Sequence, residues 1–318
     1  MKKIRVGVIG VGYLGKFHAE KYSRMENVQL IGVVDIDRAL AEEVAARFDT
    51  RAFADYRDLF GRVDAVSIVV PTGDHFSVAA KCLNHDLDLL IEKPMTATLE
   101  QADELIRIAE SRMRVMQIGH LERFNPAVIA LKDIVHNPMF IEAHRLSIFK
   151  DRSTDVSVVL DLMIHDIDII MNVVKSEIKS IHAAGAPVIC EHADIANVRL
   201  EFESGCVANV TASRISTKNQ RKIRLFQKDA YVSVDFTSRE ITIISRDESI
   251  SGDLIPGMDI RQRSFSETDT LEDELASYIQ AVSTRQPPVV SGIAGRKALE
   301  VALSITDQIN TAIKPYID

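Results

Sequence analysis

Ionisable side chains that could exchange a proton with a substrate are concentrated in one apolar segment near the middle of the chain. The segment Leu160–Met171 contains Asp161, His165, Asp166 and Asp168 among residues that are otherwise mostly apolar, a pattern that predicts a buried helix. On a helix, Asp161 and His165 lie about one turn apart on one face, and Asp168 lies near that face. A lone buried histidine is usually structural, but four ionisable groups on one buried helix favour an active site. The pattern predicts Asp161 and His165 as catalytic residues, with Asp166 as a structural member.

Lys93 is the second candidate for chemistry. It lies in Glu92-Lys93-Pro94, at the end of a predicted buried strand, where a charged pair is costly unless it is used or paired. Pro94 disfavours helical backbone at Lys93, which would help to direct the lysine side chain. Such a lysine could donate a hydrogen bond to a substrate hydroxyl and stabilise the alkoxide formed from it. A surface Glu–Lys pair is the alternative interpretation.

The start of the chain predicts the element that would bind a nucleotide beside these groups. Gly10-Val-Gly12-Tyr-Leu-Gly15 follows the apolar run Ile4–Ile9 and opens a helical pattern. In this strand–turn–helix context the three glycines form a dinucleotide fingerprint: Gly10 makes the turn, Gly12 admits the pyrophosphate, and Gly15 lets helix and strand pack closely. The N-terminus of the helix offers its free N–H groups to phosphates.

Asp35 predicts which dinucleotide is bound. It ends the second apolar run, 20 residues after Gly15, where a carboxylate binds ribose hydroxyls and repels a 2′-phosphate. The predicted cofactor is therefore NAD, a preference that Arg38 would weaken. The candidate cofactor contacts are Gly10, Gly12, Tyr13, Leu14, Gly15, Asp35, Arg38, Pro71, Thr72, His75, Glu92, Lys93 and Arg123. His75 also has a simpler interpretation as a residue of a helix's first turn. The candidate substrate contacts are Lys93, His120, Arg123, Asp161 and His165.

The order of apolar runs predicts two domains. Through about residue 120, strand and helix patterns alternate, which is typical of a doubly wound parallel sheet. After about residue 137, β-branched and alternating runs indicate a mainly antiparallel sheet that follows one long helix over 158–174. The expected fold is thus an α/β dinucleotide-binding (Rossmann) domain over 1–122 and an α+β domain over 123–318 for substrate binding. Helices near Thr270–Ser283 and Gly295–Ile313 close the chain and could pack back on the first domain.

Composition excludes several classes of partner. The chain has 318 residues, 38 basic and 46 acidic, with a net charge of −8, and it contains no basic block of the kind that nucleic acids or membrane surfaces attract. No apolar run is long enough to span a membrane. Its three cysteines have no metal-site spacing and predict a reduced, cytoplasmic protein without a metal.

These motifs together resemble the glucose–fructose oxidoreductase/inositol dehydrogenase (Gfo/Idh/MocA) family. The matching residues are Gly10-Val-Gly12-Tyr-Leu-Gly15, Asp35, Pro71-Thr72, Glu92-Lys93-Pro94, Arg123 with Asn125-Pro126, and Asp161-x-x-x-His165-Asp166. The resemblance implies an NAD-dependent sugar dehydrogenase with Lys93, Asp161 and His165 as catalytic residues, forming a homodimer or homotetramer through the C-terminal sheet. Met163 departs from the pattern, since many members have glycine there, and a larger side chain is expected to reshape the pocket.

Two stretches are similar to a subgroup of this family that oxidises the 3-hydroxyl of UDP-N-acetylglucosamine. They are residues 119–126 and 155–165. A free cyclitol or aldose is the alternative substrate, and a non-catalytic NAD-binding sensor or scaffold is the alternative function. A diphosphate substrate would require cations, for which the candidates are Arg145, Lys150, Arg152, Arg214, Lys218, Arg221 and Lys222; a solvated basic face accounts for them equally well.

Overall fold

The chain forms two compact units in its structure, which is a computed structural model. The structure describes residues 3–149, 156–246, 257–266 and 268–317. The first unit comprises Met1–Leu121 and Asp269–Leu299, and the second comprises Glu122–Thr268 and Glu300–Asp318. The next-to-last helix of the chain and the start of the last helix therefore belong to the first unit, together with the predicted nucleotide-binding segment.

A parallel sheet forms the centre of the first unit. Its strands are β1 (Ile4–Ile9), β2 (Val28–Val34), β3 (Arg51–Phe53), β4 (Ala65–Ile68), β5 (Asp88–Glu92) and β6 (Met116–Gly119). They lie in the order β3-β2-β1-β4-β5-β6 with every pairing parallel. This is the strand order of dinucleotide-binding folds, in which ligands bind where the order reverses, here between β1 and β4. The predicted doubly wound sheet is confirmed.

Helices connect these strands and bury their apolar faces. They are α1 (Gly15–Arg24), α2 (Arg38–Arg47), α3 (Thr72–Asn84) and α4 (Leu99–Ser111). A later helix, α7 (Thr270–Thr284), joins the same core because Leu275, Tyr278 and Ile279 are fully buried in a cluster with Tyr22 of α1. The apolar surface that α7 removes from water therefore contributes to the stability of this unit.

The second unit is built on an eight-stranded sheet. Its strands are β7 (Pro138–Leu146), β8 (Ile178–Ala186), β9 (Ile195–Phe202), β10 (Val207–Ser213), β11 (Gln220–Gln227), β12 (Ala230–Asp235), β13 (Glu240–Arg246) and β14 (Met258–Ser264). The order is β14-β13-β12-β11-β7-β10-β9-β8. Only the β7–β10 pairing is parallel among these strands, so the sheet is mainly antiparallel, as predicted.

The helix predicted over 158–174 is interrupted. Val159–Met163 forms a π-helical turn, and α6 (Ile164–Val174) continues from it. The unit also contains α5 (Pro126–Ile134) and the end of α8 (Gly292–Ile317). Asn125 caps α5 by accepting the N–H of Ala127 at 3.0 Å, and Pro126 is the first helical residue, as is usual for a proline at a helix start. Single-turn π-helices are frequent at functional sites.

Three strands were not predicted. β3 has only three residues, and β14 is a largely exposed polar strand at the sheet edge. β7 lies in the middle of its sheet, yet its alternation of buried and partly exposed residues includes buried Arg145. A strand is predicted from the alternation of apolar and polar residues, and a charged residue at an inward-facing position interrupts that alternation.

Candidate functional site

The glycine turn after β1 has the conformation that its spacing predicts. Gly10 has φ +85°, and a Cβ there would lie 2.6 Å from the carbonyl oxygen of Val69. A Cβ on Gly15 would lie 1.8 Å from the carbonyl oxygen of Gly10. At Gly12, by contrast, a Cβ would meet no atom of the described residues within 4 Å. Gly10 and Gly15 are thus required by backbone packing, whereas Gly12 leaves open space into which a ligand can approach.

Two helix N-termini flank this turn and lack side-chain caps. Within the described chain, no side chain caps α1 at Leu14 or α3 at Pro71. Side chains cap α2, α4 and α7 of the same unit, through Asp37, Thr98 and Asp269. The uncapped helices follow β1 and β4, the strands between which the sheet order reverses. Phe17 and Asp74 in the two first turns donate to backbone oxygens, but within the described residues no side-chain cap occupies either positive dipole end, which suits an anion such as a pyrophosphate.

Asp35 supports the glycine turn as well as its ligand. One carboxylate oxygen accepts the N–H of Val11 at 2.8 Å, and the other accepts the N–H of Asp37 at 3.0 Å. Arg38 is paired with Glu42 at 2.8 Å on the exposed face of α2. Beside the turn, Tyr13 and Leu14 remain 63% and 45% exposed. These observations fit a dinucleotide whose ribose contacts Asp35 and whose apolar surface covers the two side chains.

Glu92, at the end of β5, has a buried histidine partner. The Nε2 atom of His18 on α1 lies 3.2 Å from Oε1 of Glu92, with the two side chains 1% and 14% exposed. Burial alone would raise the pKa of Glu92, but the hydrogen bond and charge of His18, together with Lys93, lower it below its ordinary value. Glu92 therefore stays anionic beside Lys93. The sequence analysis did not identify His18. Its position three residues after Gly15 is the one feature of the sequence that could have pointed to it.

His75 does not offer a ring nitrogen to a cofactor. It is 1% exposed, and its Nδ1 and Nε2 lie 2.9 and 2.8 Å from the carbonyl oxygens of Pro94 and Val70. Burial lowers the pKa of His75 more than these carbonyls raise it, so the ring is neutral and donates to one carbonyl at a time. His75 ties the segment before Thr72 to the segment after Lys93, and its part as a cofactor contact stays a prediction.

In the second unit, the predicted catalytic pair lies at the π-helical turn and the start of α6. Asp161 and His165 are each partly exposed, whereas Met163 and Ile164 between them are fully buried. Met163, which was expected to reshape the pocket, therefore packs inside the unit. Asp166 and Asp168 are 1% and 2% exposed, and both are held by arginines. Of the four ionisable groups, two are thus partly exposed, and two are buried and paired with arginines.

The arginine predicted to contact ligands is engaged by one of those aspartates. Arg123 donates from Nε and a terminal nitrogen to the two oxygens of Asp168, at 2.6 and 2.9 Å, and its side chain is 11% exposed. Arg145 and Arg214, proposed for a diphosphate, are likewise buried. Lys218, Arg221 and Lys222 remain at least partly exposed. Lys150 and Arg152 lie outside the described residues.

Comparison with known proteins identifies the family. Residues 4–120 match the model of an oxidoreductase family with an NAD-binding Rossmann fold, and residues 134–233 match the Gfo/Idh/MocA C-terminal domain. The chain belongs to the Gfo/Idh/MocA oxidoreductase family. It is an NAD-dependent dehydrogenase of that family, as the fingerprint and Asp35 predicted.

Two relatives within the Gfo/Idh/MocA family show how far the similarity extends. The chain is 39% identical over 319 residues to UDP-N-acetylglucosamine 3-dehydrogenase of Acidithiobacillus ferrooxidans, covering 100% of this chain and 99% of that protein. A solved structure of that enzyme superposes with a TM-score of 0.92 over 99% of this chain and 100% of that one, at 37% identity. Myo-inositol 2-dehydrogenase of Thermotoga maritima is 26% identical over 318 residues, covering 93% of each chain.

The remaining expectations concern His120, metals and membranes. His120 is 1% exposed, so its side chain lies beneath the surface of the first unit of this Gfo/Idh/MocA protein. Among the residues that the structure describes, no three potential ligands come together as a metal site. In the same residues, no helix is both long and apolar enough to cross a membrane.

Proposed function

We propose that this protein oxidises the 3-hydroxyl of UDP-N-acetylglucosamine to a ketone with NAD. The observation that carries the proposal is the end-to-end similarity to an enzyme of that name, at 39% identity and a TM-score of 0.92. Relatives named for inositol are more distant, at 26% identity for the one from Thermotoga maritima. Lys218, Arg221 and Lys222, which are at least partly exposed, are the proposed cations for a diphosphate.

His165 is the proposed acceptor of the hydroxyl proton. Its side chain is partly exposed among the buried residues of the first half of α6, and Asp161, one helical turn earlier, is partly exposed as well. In this role Asp161 orients the imidazole or binds a neighbouring hydroxyl of the sugar, and His165 takes the proton as the carbon–oxygen bond becomes a carbonyl.

Lys93 is the proposed group that stabilises negative charge on the reacting oxygen. A lysine ammonium can donate a hydrogen bond to an alkoxide more strongly than to the hydroxyl from which it forms. Glu92 beside it is kept anionic by His18, and the anion favours the charged form of the neighbouring lysine. NAD, when bound at the glycine turn, supplies the acceptor for the hydride that leaves the carbinol carbon.

The test is a comparison of substrates under identical conditions. Production of NADH is followed with UDP-N-acetylglucosamine, UDP-glucose, N-acetylglucosamine, glucose and myo-inositol. We expect the highest kcat/KM with UDP-N-acetylglucosamine, and NMR should place the new carbonyl at carbon 3 of the product. Preferential turnover of myo-inositol or glucose would favour the cyclitol or aldose alternative. NAD binding without turnover of any compound would favour a sensor or scaffold.

We also propose a homodimer or homotetramer formed through the eight-stranded sheet. Along β9, Ala196, Val198 and Leu200 are fully buried, whereas Asn197 and Arg199 between them are exposed. A sheet with one packed face and one open face offers a broad surface to a second copy. Light scattering during size-exclusion chromatography tests this, and a monomer at micromolar concentration would contradict it.

The proposed location is the cytoplasm. Cys82, Cys190 and Cys206 are all free thiols, which is usual where the compartment is reducing. Fractionation of cells that express the protein is the corresponding measurement.

A further inference from the structure

Two arginines hold α6 through buried carboxylates next to His165. Arg145 of β7 donates from Nε and a terminal nitrogen to the two oxygens of Asp166, both at 2.8 Å. Arg123, in the 3₁₀ turn Leu121–Phe124, makes the corresponding pair of hydrogen bonds to Asp168. In each case two parallel N–H donors meet a planar carboxylate, which fixes orientation as well as distance.

The two pairs are connected through Glu122. Its Oε1 accepts a hydrogen bond from Arg145 at 2.8 Å and lies 3.9 Å from Arg221. Its Oε2 accepts from the side-chain amide of Asn125, the cap of α5, at 3.4 Å. Glu122 and Arg123 are consecutive residues of one turn. Arg123 contacts Asp168 of α6 directly, and Glu122 is connected to Asp166 of α6 through Arg145.

The position of His165 relative to these pairs follows from helix geometry. Successive residues are rotated by about 100° around an α-helix, so Asp166 and Asp168 are about 200° apart in the direction of the chain. The smaller arc between them, on the other side of the helix, is about 160°. His165 falls within the smaller of the two arcs between them, about 100° from Asp166 and 60° from Asp168. A rotation of α6 that redirected the imidazole would therefore break both bidentate pairs.

The stability of the fold does not by itself account for this arrangement. Replacing a buried ion pair by apolar side chains of similar volume is often neutral or stabilising, while two charges must be desolvated to form the pair. The side chains concerned are 11% and 2% exposed for Arg123–Asp168, and 3% and 2% for Arg145–Asp166. Buried polar groups of this kind can instead specify a single conformation.

We propose that Arg123 and Arg145 are positioning residues, which act through Asp168 and Asp166 to fix the direction of the His165 imidazole. This inference rests on the proposed dehydrogenase function of His165. It gives Arg123 a role other than a contact to cofactor or substrate, and the two roles predict different kinetics. A positioning residue affects kcat, whereas a ligand contact affects KM or the Kd of the cofactor.

The test compares Arg123→Lys, Asp168→Asn and the double variant with the wild type. Arg123→Lys keeps the charge but removes the planar fork. We expect each single variant to lower kcat by about 10-fold to 100-fold, because small misplacements of catalytic groups cost that much. KM for NAD and for the sugar substrate, and the Kd of NAD, should stay within about two-fold of the wild type. These variants do not remove a contact that binds the ground state and the transition state equally. The double variant should lose no more than the more impaired single variant, because both changes break the same contact.

Arg107→Lys is the matched control. Arg107 also pairs with a carboxylate, Glu104, but on the exposed surface of α4, where the two side chains are 68% and 39% exposed. We expect its kcat and pH profile to equal those of the wild type. Unchanged kcat and pH profile in Arg123→Lys with only a lower Tm would overturn the proposal, as would a KM or Kd raised ten-fold or more at unchanged kcat.

A measurement without turnover separates this proposal from the proposed function. NMR of ¹³C-labelled histidine, with the signal of His165 assigned from His165→Gln, reports the environment of the ring directly. We expect the signal to shift or broaden in Arg123→Lys and Asp168→Asn, but not in Arg107→Lys. An unmoved signal would contradict positioning even if no substrate is turned over, whereas inactivity of the wild type towards every sugar would contradict the function alone.

Discussion

The imidazole of His18 lies 3.2 Å from the carboxylate of Glu92, and both groups are largely removed from solvent. The two residues connect α1, which begins in the glycine fingerprint, with the end of β5, after which Lys93 follows. The nucleotide-binding helix and the lysine segment are thus joined by a polar contact inside the first unit. A Cβ on Gly119 would lie 3.1 Å from the same carboxylate, so the Glu92 side chain also packs closely against β6.

His18→Ala is expected to destabilise the first unit. The change leaves the carboxylate of Glu92 without this hydrogen-bond donor, and an unsatisfied buried group costs about 1–3 kcal/mol. Urea unfolding measures the loss. His182→Ala, which removes an exposed histidine of β8, should have little effect and is the control. Equal stability of the two variants would show that the His18–Glu92 contact contributes nothing to folding.

Glu274 of α7 predicts an unusual dependence of stability on pH. Its side chain is fully buried, and neither carboxylate oxygen has a hydrogen-bond partner among the residues that the structure describes. Burial, and then the charge of Glu92, raise the pKa of Glu274 well above its ordinary value. The protonated Glu274 side chain therefore makes its full contribution to the free energy of unfolding below the pKa that it has in the unfolded chain, about 4.3. That contribution is lost as the pH rises towards the higher pKa of Glu274 in the folded protein.

Glu274→Gln removes this titration while keeping the shape of the side chain. The variant is expected to match the wild type near pH 4 and to exceed its stability increasingly at neutral and higher pH, as measured by urea unfolding at several pH values. Glu272→Gln, at a site 53% exposed on the same helix, should not show this divergence. A stability difference that does not change with pH would mean that Glu274 does not titrate in this range.

Asp35 predicts a preference for NAD over NADP. The carboxylate repels a 2′-phosphate, while Arg38, the nearby cation, is paired with Glu42. We expect NAD to bind at least about ten-fold more tightly than NADP, equivalent to about 1.4 kcal/mol, as measured by calorimetric titration.

Asp35→Asn should weaken both discrimination and NAD binding. An amide offers one acceptor oxygen, yet Asp35 accepts N–H groups from both Val11 and Asp37. Glu43→Gln on the exposed face of α2 removes the same charge nearby and should leave the ratio unchanged. Tighter binding of NADP by the wild type would refute the role assigned to Asp35.

Features that depend on neighbours in sequence were predictable, and features that depend on distant partners were not. The glycine turn and the Asn125 cap follow from residues only a few positions apart, so their spacing reveals them. Burial of Arg145 depends on Asp166 and Glu122, which are 21 and 23 residues away. Nothing near Arg145 in sequence indicates those partners, so β7 was missed and Arg145 was assigned to a diphosphate.

The catalytic helix shows the same division within one segment. Its apolar character and the Asp161–His165 spacing predicted a buried helix with one accessible polar side. The π-helical turn at Val159–Met163 was not predictable, because the segment is apolar on almost every face and a shift of the helix faces leaves no trace in such a pattern. The pairing of Arg123 with Asp168 spans 45 residues, so sequence reasoning assigned this arginine to the ligands instead.

Removing either proposed catalytic side chain gives the last prediction. His165→Ala and Lys93→Ala should each lower kcat by about 100-fold or more, the usual contribution of a general acid–base group. Lys132→Ala, at an exposed position of α5, should retain the wild-type rate. The two variants are distinguished by their pH profiles, since the general base accounts for the acidic limb of kcat. If His165 is that base, the limb disappears in His165→Ala and persists in Lys93→Ala, whereas the reverse result would exchange the two roles. Near wild-type rates in both variants would exclude both residues from catalysis.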